Sequence, residues 1–110
     1  MSKGTHLGEL EQMVLLAVLQ LKEEAFGISV MNELRERGSR EVSRGALYVT
    51  LDRLEAKGFL DSRLGDPIPG RGGRPRRYLS VTEAGIEALQ ESRATLARMW
   101  EGLDAVFEKR

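Results

Sequence analysis

"FLDSRLGDPIPGRGGRPRRYLSV", residues 59–81, sets two extended stretches on either side of a segment holding every proline of the chain. In "FLDSRL", Leu60, Ser62 and Leu64 share one side, and in "RYLSV" Leu79 and Val81 do the same. That alternation predicts two paired antiparallel strands. Pro67, Pro69 and Pro75, together with Gly65, Gly70, Gly72 and Gly73, are incompatible with a two-residue turn and predict a long irregular tip. Arg71, Arg74, Arg76 and Arg77 sit on that tip and on its descending edge.

Immediately upstream, "SRGALYVTLDRLEAKG" (43–58) reads as a helix capped by Ser43, stopped at Gly58, and buried along Leu47, Leu51 and Leu54. At 100° per residue the opposite side carries Gly45, Val49, Asp52 and Ala56, flanked by Tyr48 and Arg53. The N-terminal half of that face is small, which permits close approach to another surface, and a helix N-terminus suits phosphate. Asp52 opposes an anionic partner, and this segment taken alone reads as an ordinary surface helix.

Further upstream, "FGISVMNELRERG" (26–38) places Ile28, Met31 and Leu34 at helical spacing, with Gly38 as the expected left-handed residue after the helix. Before it, "LGELEQMVLLAVLQL" (7–21) predicts a helix from Leu7 to about Lys22 that is apolar almost all round after Gln12. Such a helix must be covered on every side, and in so small a domain a second subunit is the expected cover. Downstream, Thr82 caps one long last helix. Along it Ile86, Leu89, Leu96, Trp100, Leu103 and Phe107 keep a seven-residue repeat interrupted only at Arg93. The two apolar helices predict a homodimer through Leu10, Val14, Leu89, Leu96, Trp100, Leu103 and Phe107. Two copies of Trp100, the single tryptophan, would line an apolar space between subunits that suits a flat ligand.

Composition narrows the function. A chain of 110 residues suits one domain, and 41% hydrophobic with 31% charged residues describes a folded globular protein. The longest apolar run, Met13 to Leu19, is far short of the roughly 18 residues of a membrane span, and no signal-like segment surrounds it. A cytoplasmic protein without membrane contact is expected. There is no cysteine, and His6 is the only histidine, so thiolate zinc sites, histidine-pair metal sites and Ser-His-Asp arrangements are unavailable. "GRGGRP" lacks the Gly-Lys-Ser/Thr ending of a phosphate loop. No enzyme activity, cofactor or metal is predicted. The formal net charge of zero hides an asymmetry: residues 1–34 carry −3, residues 35–77 carry +5 and residues 78–110 carry −2. A basic middle between acidic ends is what a polyanion-binding face requires.

Helix, helix, extended link, helix, hairpin with a basic tip, and a further helix is the element order of a winged helix-turn-helix. The expected fold is mainly α (α+β), with residues 1–81 as the winged domain and residues 82–110 as a long C-terminal dimerisation helix. In such folds the third helix enters the major groove and the hairpin, or wing, lies along the backbone or minor groove. The segments "LGELEQMVLLAVL", "FGISVMNEL", "SRGALYVTLDRLEAKGFL" and "GRGGRPRRYLSVTEAG" together resemble the PadR family of bacterial transcriptional regulators, over about residues 7–90. The resemblance implies a homodimeric repressor on a pseudo-palindromic double-stranded operator, often released by a small aromatic or drug-like effector. It places Ser43, Arg44, Gly45, Tyr48, Thr50 and Arg53 on or beside the recognition surface and the wing arginines on flanking contacts. With one C-terminal helix the chain is similar to the short branch of that family, and Phe26 stands where a tyrosine or histidine is common. Two other readings of the same residues stay open: a winged-helix module whose basic wing binds an acidic protein, and an RNA-binding protein.

Overall fold

The computed structural model describes residues 6–67, 70, 72 and 75–108. The elements run α1 (Glu9–Leu21), a 3₁₀ turn (Lys22–Glu24), α2 (Gly27–Glu36), α3 (Arg44–Ala56), β1 (Leu60–Pro67), β2 (Pro75–Val81), α4 (Glu83–Trp100) and α5 (Asp104–Glu108). This is the mainly helical winged helix-turn-helix that the element order predicts.

Three helices and the base of the hairpin enclose one core. Val14, Leu15 and Val18 of α1, Val30 and Leu34 of α2, Leu47, Leu51 and Leu54 of α3, and Leu60 and Leu79 of the hairpin are all buried in it. At the start of α1 the Glu11 carboxylate accepts the Gly8 N–H at 2.9 Å, so a side chain three residues into the helix satisfies its first free donor. Glu11 is itself buried and meets Lys57 Nζ at 2.9 Å, which ties the first turn of α1 to the end of α3. Burial works against the Glu11 charge, but the Gly8 N–H and the Lys57 ammonium outweigh it and hold the carboxyl below its ordinary value.

The end of α2 differs from expectation. Ser39, not Gly38, takes the left-handed backbone, with φ 52°. Gly38 is instead a point of close approach: a Cβ there would lie 2.6 Å from Met13 Cε and 2.9 Å from the Leu34 carbonyl oxygen. At the end of α3, Gly58 has φ 81°, its N–H bonds the Glu55 carbonyl, and the Phe59 N–H bonds the Leu54 carbonyl. This pair of bonds closes the helix as a Schellman motif, with Phe59 and Leu54 both buried beneath it.

β1 and β2 pair antiparallel with Leu60 opposite Val81, Ser62 opposite Leu79 and Leu64 opposite Arg77, and the register shifts between Leu64 and Pro67. Leu60, Ser62 and Leu64 share one side of β1 as the alternation predicts; Leu60 is buried, but the hairpin runs past the core and leaves Leu64 68% exposed. An isolated bridge between Phe26 and Tyr78, and a bond from the Leu79 N–H to the Ala25 carbonyl, join the link before α2 to the outer edge of β2.

Thr82 caps α4 by accepting the Gly85 N–H at 3.0 Å and donating to the Gly58 carbonyl at 2.7 Å, which joins the end of α3 to the start of α4. Gly85, Ala88 and Leu89 pack on the body, and from Arg93 onward every described residue of α4 is exposed. The single long last helix of the sequence reading is corrected: it breaks after Trp100, Gly102 adopts φ 80°, and α5 folds back so that the rings of Trp100 and Phe107 lie 4.9 Å apart. With one glycine in that conformation the seven-residue repeat cannot continue as one straight stripe.

Candidate nucleic-acid interface

The outward side of α3 is assembled from its N-terminal two turns. The Ser43 Oγ accepts the Ala46 N–H at 3.1 Å, fixing the helix start, so Arg44, Gly45, Tyr48 and Val49 emerge on the exposed side. Nothing approaches within 4 Å of the Cβ that Gly45 lacks, so the space before it is open. Tyr48 ends beside the start of α2: its hydroxyl would be 2.6 Å from a Cβ on Gly27. Glycine at 27 therefore sets where this phenol rests.

Three predicted members of the surface are placed differently from the sequence reading. Thr50 is 4% exposed and its hydroxyl donates to the Ala46 carbonyl at 2.8 Å, so it holds the helix backbone from the core side and is unavailable to a ligand. Its 100° steps put it next to Leu47 and Leu51 rather than beside Tyr48. Arg77 is not a free wing cation: its guanidinium bonds Glu55 and lies 3.4 Å from Asp52, both on α3. Burial disfavours its charge, yet Glu55 and Asp52 outweigh that and raise its pKa. Arg53 is exposed on the side of α3 toward Glu11, away from the wing. Arg71 and Arg74 lie outside the described residues.

Arg76 points across the base of the wing. Its guanidinium carbon sits 4.1 Å from the centre of the Phe26 ring, and Phe26 meets Tyr78 edge to face at 5.7 Å. On the far side Arg63 stacks on Tyr78 at 4.9 Å. Two cations and two rings therefore form one ladder between the start of α2 and the wing. Arg76 Nε is enclosed and has no hydrogen-bond partner among the described residues. Between the starts of α2 and α3 and the wing lies a cleft of about 610 Å³ lined by Phe26, Ile28, Arg44, Tyr48, Arg76 and Arg77, among others. It joins the exposed start of α3 to the wing in one basic concavity. Phe26 and Arg63 were not legible as parts of this surface; their only signal was an aromatic and a cation without an assigned core position.

The predicted dimer residues divide. Val14 is completely buried and Leu89 nearly so, both within the chain's own core, so neither is available to a partner as expected. Leu10 packs against that core. Leu96, Trp100, Leu103 and Phe107 are exposed, and so are Leu16 and Leu19, which the sequence reading did not single out. A largely apolar groove of about 480 Å³ runs between α1 and α4, lined by Leu16, Leu19, Leu89, Leu96 and Trp100 among others. Among the described residues no helix is long and apolar enough to cross a membrane, and no three His, Asp or Glu side chains converge on a metal position.

Comparison with known proteins agrees with this architecture. The family model for the Transcriptional regulator PadR-like family matches residues 15–91. The transcriptional regulator Rv3488 of Mycobacterium tuberculosis is 42% identical over 78 residues, 69% of this chain and 66% of that protein, so the match spans just under two thirds of the relative's length. A PadR-like transcription factor from Bacteroides fragilis superposes with a TM-score of 0.70 at 26% identity, covering 88% of each chain. A PadR family regulator from Eggerthella lenta gives 0.68 at 29% identity, covering 93% of this chain and 88% of that one. Matching the family model over most of its length and carrying its winged fold, the chain belongs to the PadR-like family of transcriptional regulators.

Proposed function

We propose that the chain is a sequence-specific DNA-binding repressor that acts in the cytoplasm as a homodimer on a pseudo-palindromic duplex. The observation that carries this reading is the shared side of α3 and the wing: the open face at Arg44, Gly45, Tyr48 and Val49 continues through the basic cleft to Arg76. An exposed helix end, open at Gly45 and continuous with a cationic cleft, matches a major groove flanked by phosphates. Residues 82–110 supply the dimerisation element. The exposed apolar groove between α1 and α4 is the surface a second copy would cover, and Trp100, which lines it, would meet a planar aromatic effector there.

The test is selection from a randomised duplex pool followed by titration against salt. The expected result is enrichment of two inverted half-sites and tight binding to the selected duplex. Binding to random duplex and to single-stranded RNA should be weaker by about a thousandfold or more. Equal affinity for selected and random duplex, or preference for the RNA, would remove sequence-specific DNA binding from the account.

A further inference from the structure

The wing and α3 must reach one duplex together, and a single guanidinium connects them. Asp52 and Glu55 are three residues apart on α3 and so share a face. Arg77, on β2 opposite Leu64, spans both carboxylates. Glu55 also lies close enough to the Ser62 hydroxyl of β1 for that group to favour its charged form, so the carboxylate faces both strands of the wing. The Ser62 hydroxyl and the Arg77 guanidinium together keep the Glu55 carboxyl below its ordinary value, so it stays charged at neutral pH.

We propose that Arg77 is a positioning residue, not a phosphate ligand: bridged to Asp52 and Glu55, it sets the angle between the wing and the recognition helix and neutralises Asp52 on the face turned to DNA. The assignment rests on the DNA-binding reading above. A guanidinium suits the role, because one nitrogen, Nη2, meets both carboxylates and stands one atom further from the backbone than a lysine ammonium would, in a planar group of fixed direction. The consequence is preorganisation. A wing already fixed against α3 loses less conformational freedom when both engage the duplex. Arg77 also releases no counterion on binding, since its charge is matched within the protein before DNA arrives. Arg76 differs: it stacks on an uncharged ring and makes no ion pair among the described residues.

The experiment measures the affinity of the full chain for its selected duplex, and for a random duplex of about 30 base pairs, across a salt series. The variants are Arg77→Ala, Arg77→Lys, Glu55→Ala, and the Arg77→Ala, Glu55→Ala double, with helical content and melting checked for each. The expected result is a loss of about tenfold in selected-duplex affinity for each single variant, with no further loss in the double, because both remove the same bridge. The slope of log affinity against log salt stays at the wild-type value in Arg77→Ala, and Arg77→Lys fails to restore affinity although it keeps the charge. A slope flattened by about 0.9 in Arg77→Ala makes Arg77 a phosphate contact and overturns the assignment. Tighter binding by Glu55→Ala does the same, since it shows that the carboxylates withhold Arg77 from DNA. A wild-type chain that binds no duplex overturns the DNA reading itself, a result separate from either of these.

Discussion

At the scale of single residues, Gly45 and Glu11 show opposite uses of local chemistry. Gly45 touches nothing within 4 Å, so a bulky side chain there meets no part of the protein, only whatever docks on α3. Gly45→Trp is expected to melt within about 1 kcal/mol of wild type, and to lose most discrimination between selected and random duplex by competition titration. Retained discrimination would mean that α3 does not enter the groove by this face. Glu11 is enclosed and paired with Lys57, so Glu11→Gln leaves a half-buried ammonium with a weaker acceptor. The expected cost is about 2 kcal/mol in urea unfolding at neutral pH. The sign of its pH dependence follows from the depressed folded-state pKa. The stabilisation is complete above the ordinary value of 4.5, and it is lost as pH falls below 4.5 through the lower folded value. Wild type and Glu11→Gln should therefore converge in stability toward pH 3; a constant gap from pH 7 to pH 3 would show that the ion pair is not the source.

At the scale of elements, the wing is held at its base by rings and ions, while its tip carries glycine, proline and arginine. Arg76 is stacked on Phe26 and makes no ion pair among the described residues, which leaves its guanidinium ready to donate to a phosphate oxygen. Arg76→Ala is expected to weaken selected and random duplex by similar factors and to flatten the salt slope by about 0.9; an unchanged slope would place Arg76 with Arg77 among the positioning groups. Where α4 begins, the fit is tighter. A Cβ at Gly85 would overlap the Phe59 carbonyl oxygen and lie 2.7 Å from Val81 Cγ1, so α4 would have to move away from the strand it rests on. Gly85→Ala should cost about 2 kcal/mol in urea unfolding. A neutral effect would show that the start of α4 can shift freely.

At the scale of the whole molecule, the feature that asks for a partner is the apolar surface running from Leu16 and Leu19 to Leu96 and Trp100. α4 leaves the body after Leu89, so its outer half has no core of its own to pack against. Leu16→Glu combined with Leu96→Glu is expected to convert a dimer into a monomer in sedimentation at micromolar concentration, while the winged core keeps its helical content. A monomeric wild type, or a dimer that survives both charges, would place the interface elsewhere. Trp100 reports separately on a ligand: planar aromatic compounds should quench its emission saturably and lower duplex affinity in parallel, because an effector must bind the two states unequally. Quenching without any change in duplex affinity would make the groove a binding site without regulatory coupling.

Much of this protein was determined by sequence alone, wherever the determinant is local. Ser43 and Thr82 announce helix starts, Gly58 a stop, and Leu47, Leu51 and Leu54 a buried stripe, because capping and periodicity act within a few residues. Tertiary structure decided whatever depends on a neighbour remote in sequence. Arg76 and Arg77 are adjacent on one strand, and their roles divide because Phe26 lies on one side of the wing base and Asp52 and Glu55 lie on the other. The heptad spacing through Leu103 and Phe107 suggested one straight helix, yet Gly102 allows a sharp turn and the Trp100 and Phe107 rings bury apolar area against each other. Spacing records which residues are able to share a face; whether they do is settled by which surfaces the folded chain brings within contact.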